Sequence, residues 1–340
     1  MKNRYLIVNV SPDYLSGKGK FVAGSKAPND VTEILREEGF SIIPIVRNSR
    51  HKFWGVIVAI LKIWHKTRKL PHNTTILVQY PMFNIRAFVW VAPLFKRFNS
   101  VILIHDIRTY CQPFNVKYRN KELAVLNCFN TVIAHSENMK NRLAADGVNK
   151  RIAVLGAFDY LLADGMNSQF APNSIMFAGA LGKSEFLKDL HKLNIGTMKI
   201  YLYGASKPEI TYNNNIVYKG RFSPEDISEI EAEWGLLWDG NSIESCSGCH
   251  GDYLELIAPH KFSLYLACGL KIVCWEQSAM AELVRKRGLG ITISRLDEIE
   301  EKIKCLADEE KCKIEKNVKE MMQEIRHGFM LRSVINEIEA

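Results

Sequence analysis

Short apolar runs alternate with helix-like segments along this chain, and the alternation happens twice. In the first series, strands are expected at 5–10, 42–46, 75–79, 101–105, 131–134 and 152–155. Helices are expected between them near 29–38, 53–69, 84–98, 122–129 and 137–146. A polar passage, LLADGMNSQFAPNS, then interrupts the pattern. The second series restarts with its own glycine-rich turn, GALGKS, and strands expected at 175–178, 199–203, 216–218, 236–238, 272–275 and 290–293. Strands joined through helices pair in parallel, and parallel sheets are covered on both faces. The 340 residues are long for one core and natural for two units of about 150 residues each. The expected division is an N-terminal Rossmann-like domain over 1–160, a C-terminal one over 161–312, and a charged tail helix over 313–340 that crosses back onto the first.

One segment carries more chemistry than the rest: GLLWDGNSIESCSGCHGDYLELIAPHKFSLYLACGLKIVCWE, from Gly235 to Glu276. It reads as a buried strand, a polar loop, a helix opening at Pro259-His260-Lys261 and stopping at Gly269, and a second strand. A helix mouth has free backbone N–H groups and the positive end of a dipole. With Lys261 and Ser263 in its first turn, it suits a diphosphate. This is the nucleotide half expected of a two-domain α/β enzyme.

The net charge of +8 conceals an asymmetry. Residues up to Tyr160 carry 24 Lys and Arg against 10 Asp and Glu, whereas the remainder carries 21 against 27. No acid occurs between Glu38 and Asp106, although ten Lys or Arg do. Within that stretch, Phe53 to Trp64 is apolar with basic flanks, and Phe53, Trp54 and Trp64 fit the apolar face of an interfacial helix with cations reaching toward anionic headgroups. The alternative for this helix and for Phe88–Phe98 is a core helix with charged ends. Nucleic acid is the other partner of a basic surface, but no reader motif accompanies the charge. The eight cysteines form no framework, the start MKNRYLIVNV has no leader pattern, and no apolar run nears the roughly 20 residues of a membrane span. The expectation is a cytoplasmic protein, peripheral on the inner face of the cell membrane.

Several segments resemble a bacterial GT-B glycosyltransferase family that includes O-antigen β-1,6-galactofuranosyltransferases and the glucosyltransferases of streptococcal adhesins. They are WDGNSIESCSGCHGDYLELIAPHKFSLYLACGL, FAGALGKSEFL, LYGAS, YKGRFSPEDI, VILIHDI and AGSKAPND. Ala180 and Lys271 depart from the family's usual Asn and Pro. The resemblance implies two Rossmann-like domains facing a cleft and a UDP-sugar donor. It agrees with the residue chemistry on a nucleotide site. Gly179, Gly182 and Lys183 form a turn after a strand, with Lys183 placed to neutralise a phosphate and Ser184 suited to cap the next helix. Tyr203, Gly204 and Tyr218 end strands, where a ring either covers a uracil or packs on the sheet. Asp239 and Gly240 are the donor-sugar candidates; Asp239 alternatively caps the following turn. Ser25 and Lys26 are expected to line the acceptor side.

No Asp-x-Asp motif is present, so fixed cations and a helix dipole are expected to stabilise the leaving diphosphate without a metal or other cofactor. An inverting transfer needs a base on the acceptor side. Asp106 is the candidate, with His105 orienting it or contacting sugar hydroxyls, and Asp13 and Asp30 are its rivals. Three other patterns carry less. Cys246-Ser247-Gly248-Cys249-His250 matches haem attachment, which requires export, and as a zinc half-site it lacks a second ligand pair. Gly17-Lys18-Gly19-Lys20 lacks P-loop spacing, and a dehydrogenase would need Gly-x-Gly-x-x-Gly at the first turn.

The expected function is transfer of a hexose, with UDP-galactofuranose and a β-1,6 linkage favoured, to a saccharide acceptor during surface-polysaccharide assembly on a lipid carrier. UDP-glucose is the alternative donor. A UDP-sugar epimerase or a non-catalytic UDP-sugar-binding subunit represents the other classes, and a homo-oligomer is compatible with the sequence.

Overall fold

The computed structural model describes residues 3–10, 26–46, 52–82, 84–111 and 116–340. Two compact units result, one of residues 1–155 with 331–340, the other of residues 156–330.

The first unit is a six-stranded, wholly parallel sheet of β1 (Arg4–Val10), β2 (Ser41–Val46), β3 (Thr75–Tyr80), β4 (Asn99–Ile104), β5 (Thr131–Ala134) and β6 (Arg151–Val154). Its order is β2-β1-β3-β4-β5-β6. Helices α1 (Lys26–Glu37), α2 (Lys52–Thr67), α3 (Ile85–Val91), α4 (Arg108–Cys111), α5 (Val116–Leu126) and α6 (Glu137–Ala145) make the connections, with a 3-10 turn over Ala92–Phe95 after α3. Local chemistry sets the helix starts. The Asn84 side chain accepts a hydrogen bond from the Arg86 amide at 3.0 Å, and Ser136 Oγ accepts one from Met139 N, also at 3.0 Å. From Val101 and Val132 onward, strands β4 and β5 are unbroken apolar runs because both their faces are buried.

The second unit repeats the plan with β7 (Ser174–Ala178), β8 (Lys199–Tyr203), β9 (Ile216–Gly220), β10 (Trp234–Leu237), β11 (Lys271–Trp275) and β12 (Gly290–Ile293), ordered β12-β11-β10-β7-β8-β9 and again all parallel. Its helices are α7 (Gly248–Tyr253), α8 (His260–Ala267), α9 (Ala281–Arg287), α10 (Ile299–Lys304) and α11 (Asp308–Arg326). Tyr265 of α8 presses against β10: a Cβ on Gly235 would fall 2.4 Å from its ring, so only glycine lets the helix approach this closely. The Tyr265 hydroxyl accepts a hydrogen bond from Ala178 N at 3.0 Å, tying α8 to β7.

The tail differs from the single crossing helix expected over 313–340. Gly328, at φ 75°, splits it into α11 and α12 (Phe329–Glu339). Helix α11 packs on α8, where Arg326 donates through Nε at 2.8 Å and through its terminal nitrogen at 2.6 Å to Ala267 O. Only 331–340 belongs to the first unit. There Arg332 pairs with Glu37 and Glu38, Arg4 pairs with Glu339, and Arg151 donates to Glu337 O at 2.8 Å. The amphipathic pattern runs through both helices, and the break depends on one glycine.

Candidate active site

In the second sheet, β7 and β10 are neighbours whose onward connections run in opposite directions, to β8 on one side and β11 on the other. Such a reversal opens a crevice beyond the carboxyl ends of the strands, where ligands of doubly wound proteins bind. The Gly179–Ser184 turn leaves β7 here, and Trp238-Asp239-Gly240 leaves β10.

Asp239 organises this crevice. Its Oδ1 accepts hydrogen bonds from Ser184 Oγ at 2.9 Å and from Gly240 N at 3.0 Å, and its Oδ2 lies 3.2 Å from Lys261 Nζ. Lys261 also donates to Trp238 O at 3.0 Å and sits 4.3 Å above the Phe177 ring. Burial alone would push the Asp239 carboxyl upward. The Lys261 ammonium and the Gly240 and Ser184 hydrogen bonds outweigh it and hold the group below the usual aspartate range. Gly240 has φ 106°, and a Cβ there would fall 2.3 Å from Ser247 O, so the turn requires glycine.

The expected nucleotide and donor-sugar residues fall into two groups. Gly179, Lys183, Asp239, Gly240 and Lys261 are placed at the ends of β7 and β10 and the start of α8, with Gly182 and Lys183 exposed. Ser184 does not cap the following 3-10 helix, because its hydroxyl is held by Asp239. Tyr203 takes the packing role. It is buried, edge-on to Phe222 at 5.8 Å, with its hydroxyl accepting from Glu231 N at 3.0 Å, and burial pushes its pKa up to about 12. Tyr218 donates to Gly204 O at 2.9 Å, and a Cβ on Gly204 would fall 2.6 Å from Gly179 O. These three residues therefore brace the glycine turn from behind. Ser263 is wholly buried and its hydroxyl has no hydrogen-bond partner. His260, beside Lys261 at the helix mouth, stacks on Tyr160 at 5.0 Å.

In the first sheet the reversal falls between β1 and β3. Gln79 near the end of β3 donates through Nε2 to Pro28 O at 3.2 Å and to Thr32 Oγ1 at 3.1 Å. Its amide is thereby oriented, since a carbonyl only accepts. Gln79 Oε1 must then accept from His105 Nε2 at 2.6 Å, which places the proton of the neutral imidazole on Nε2 and its lone pair on Nδ1. Asp106, exposed, follows at the end of β4. Glu122 is buried and fixes the next turn: its carboxylate accepts from Tyr80 Oη at 2.7 Å, from Thr109 N at 3.2 Å, and from the Thr109 hydroxyl. Lys26 departs from expectation. It is buried at 2% exposure and ion-paired with Asp30 at 2.7 Å, which also occupies that rival base. Ser25, Asp13 and the Gly17–Lys20 motif lie outside the described residues.

Cys246 is buried, with its thiol pushed up by desolvation, and Cys249 is exposed. Among the described residues no group of three His, Cys, Asp or Glu is placed to hold a metal ion. Of the residues that matter to this geometry, Gln79 had a signal, being the polar residue near the carboxyl end of an apolar strand. Glu122 had none, because nothing local distinguishes it from a solvated helix acid.

Two doubly wound parallel units, one with an Asp–Lys pair at its strand reversal and a helix mouth beside it, define a glycosyltransferase of the GT-B type. The glucosyltransferase 3-like N-terminal domain matches residues 4–157 and the glucosyltransferase 3-like C-terminal domain matches residues 175–338. The chain belongs to this family. It is 28% identical over 334 residues to the β-1,6-galactofuranosyltransferase WbbI of Escherichia coli (strain K12), covering 93% of this chain and 94% of that protein. It is 24% identical over 321 residues to Glucosyltransferase 3 of Streptococcus gordonii, covering 91% and 92%. Among solved structures, Anabaena HepE in complex with UDP and glucose superposes with a TM-score of 0.59 at 12% identity, covering 99% of each chain.

Proposed function

We propose that this glycosyltransferase moves a hexose from a UDP-sugar to a saccharide acceptor in surface-polysaccharide assembly, with inversion and without a metal. The Asp239–Lys261 pair between the β7 turn and the mouth of α8 carries the reading. It supplies a cation and a helix dipole for a diphosphate, and a carboxylate for sugar hydroxyls, within one crevice. Anabaena HepE, the fold neighbour, holds UDP and glucose, which supports a uridine donor.

In the proposed reaction an acceptor hydroxyl attacks the anomeric carbon, the bond from that carbon to the UDP oxygen breaks, and the hydroxyl proton passes to Asp106. His105 orients the acceptor. Lys183 and Lys261 stabilise the departing diphosphate, so chelators leave the rate unchanged. Galactofuranose is the favoured sugar because the Escherichia coli relative transfers it, and glucose is the second reading because of the streptococcal relative. A lipid-linked acceptor would keep the enzyme peripherally on the inner face of the cell membrane.

Acceptor-dependent UDP release, measured with UDP-galactofuranose, UDP-glucose, UDP-galactose and UDP-N-acetylglucosamine, tests the proposal. Release with one donor only, and only with acceptor, is expected. Conversion of the donor without acceptor marks an epimerase. UDP binding without turnover of any donor marks a non-catalytic subunit.

A further inference from the structure

Among the described residues, five of the seven exposed large apolar side chains lie on α2, α3 and α5: Val58, Leu61, Trp64, Trp90 and Val116. The connections β2→β3, β3→β4 and β4→β5 all run the same way across the sheet, so right-handed crossovers put these helices on one face. There α2 packs beside α3, and α3 beside α5. Val58, Leu61 and Trp64 form a ridge along α2, and Trp90 is 73% exposed on α3. The side chains of Phe53 and Trp54, expected to share this role, lie outside the described set.

Cations surround the ridge. Lys62, Lys66, Arg68 and Lys69 are exposed along α2 and just beyond it, Arg86 is exposed on α3, and Lys96 follows. Neither α2 nor α3 contains an acid, and the single acid of α5, Glu122, is buried with both carboxylate oxygens engaged. Tryptophans amid apolar side chains, ringed by cations and free of exposed acids, are the chemistry of an anionic lipid surface.

Two other occupants fit less well. A second copy meeting this face symmetrically would set the lysines against their own counterparts. A nucleic acid is read through a recognisable motif, and none accompanies these cations.

We propose that the α2–α3–α5 face docks the protein on an anionic bilayer, with Trp64 and Trp90 in the headgroup region and the lysines over the phosphates. The proposal gives a specific surface to the peripheral location inferred above and rests on that reading. Cosedimentation with phosphatidylglycerol and phosphatidylcholine vesicles at low salt tests it, with calorimetric UDP binding measured on the same samples. Wild type is expected to pellet with the anionic vesicles only. The K62Q/K66Q/K69Q variant is expected to partition on the order of 100-fold more weakly, from roughly five-fold per charge near the surface. Trp90→Ser is expected to weaken binding while its sedimentation coefficient without lipid stays unchanged. Wild type remaining in solution with anionic vesicles, variants that pellet as well as wild type, a Trp90→Ser change in oligomeric state, or displacement of the vesicles by oligonucleotide would each overturn it. Unaltered UDP binding in those cases leaves the transferase reading standing, and lost UDP binding removes that reading separately.

Discussion

Lys261 and Asp239 hold each other across the crevice of the second sheet, Nζ to Oδ2 at 3.2 Å, while the same ammonium is anchored to Trp238 O at 3.0 Å. The cation proposed for the diphosphate is thus positioned before a nucleotide arrives, and the ammonium lies over the Phe177 ring. Preorganised charge of this kind stabilises a leaving group without reorganisation during the reaction. Lys261→Ala is expected to weaken UDP binding by about 1.5–3 kcal/mol, the range for a lost charge-assisted hydrogen bond. Titration calorimetry on a variant with native circular dichroism checks this. Unchanged affinity would remove Lys261 from the nucleotide site.

Two groups should shape acid stability in separate pH windows. His135 is buried, with its Nε2 donating to Ile104 O at 2.9 Å, and desolvation lowers its pKa from 6.5 to about 4. The unfolded chain therefore binds the extra proton first. This stability is complete above pH 6.5 and is lost as pH falls toward 4, on the order of 3 kcal/mol in all. Asp239, also depressed, contributes stability that is present above its ordinary value of 3.8 and lost only as pH falls through its lower folded value. Melting curves against pH are expected to flatten between 6.5 and 4 in His135→Gln, and only below that range in Asp239→Asn. A His135→Gln profile that parallels wild type would contradict the first assignment.

Gly235→Ala places a Cβ 2.4 Å from the Tyr265 ring and must displace α8 or the ring. Overpacking of this kind costs about 1–3 kcal/mol. Melting temperature is expected to fall by roughly 2–4 °C for each kcal/mol in a unit of this size. A variant that melts with wild type would mean that the helix has room to spare.

The Gln79–His105 contact makes a prediction about a proton. Nitrogen-15 spectra of histidine-labelled protein above the imidazole titration should show His105 with its proton on Nε2. In Gln79→Met, which keeps the length but loses the amide, the Nε2 proton loses this acceptor, and the pH profile of kcat should move. Finding the proton on Nδ1 in wild type would refute the orientation argued for Gln79.

Asp106→Asn preserves shape and removes the proposed base. Turnover is expected to drop about 10²-fold or more with UDP affinity retained. Activity within a few-fold of wild type would clear Asp106 and turn attention to Asp13, since Asp30 is already paired with Lys26.

All twelve strands were legible in the sequence: central strands such as β5, β7 and β10 are buried on both faces and must be apolar runs, and the polar passage at 161–174 marks the restart. The helix mouth at Pro259-His260-Lys261 was legible too, since proline and glycine punctuate the chain locally. What the sequence alone left open was partnership. It offered Tyr203 as either a stacking ring or a core ring, Ser184 as a cap, Lys26 as an acceptor contact and 313–340 as one helix. Two were decided by residues far along the chain, Glu231 beside Tyr203 and Asp239 beside Ser184, whereas Lys26 is taken by its helix neighbour Asp30 and the tail is broken by Gly328. Periodicity and capping are properties of neighbours in sequence, and tertiary structure alone brings together side chains separated by tens of residues. That is why the elements could be read in order, while the Asp239–Lys261 pair and the Gln79–His105 bond appeared only when the sheets assembled.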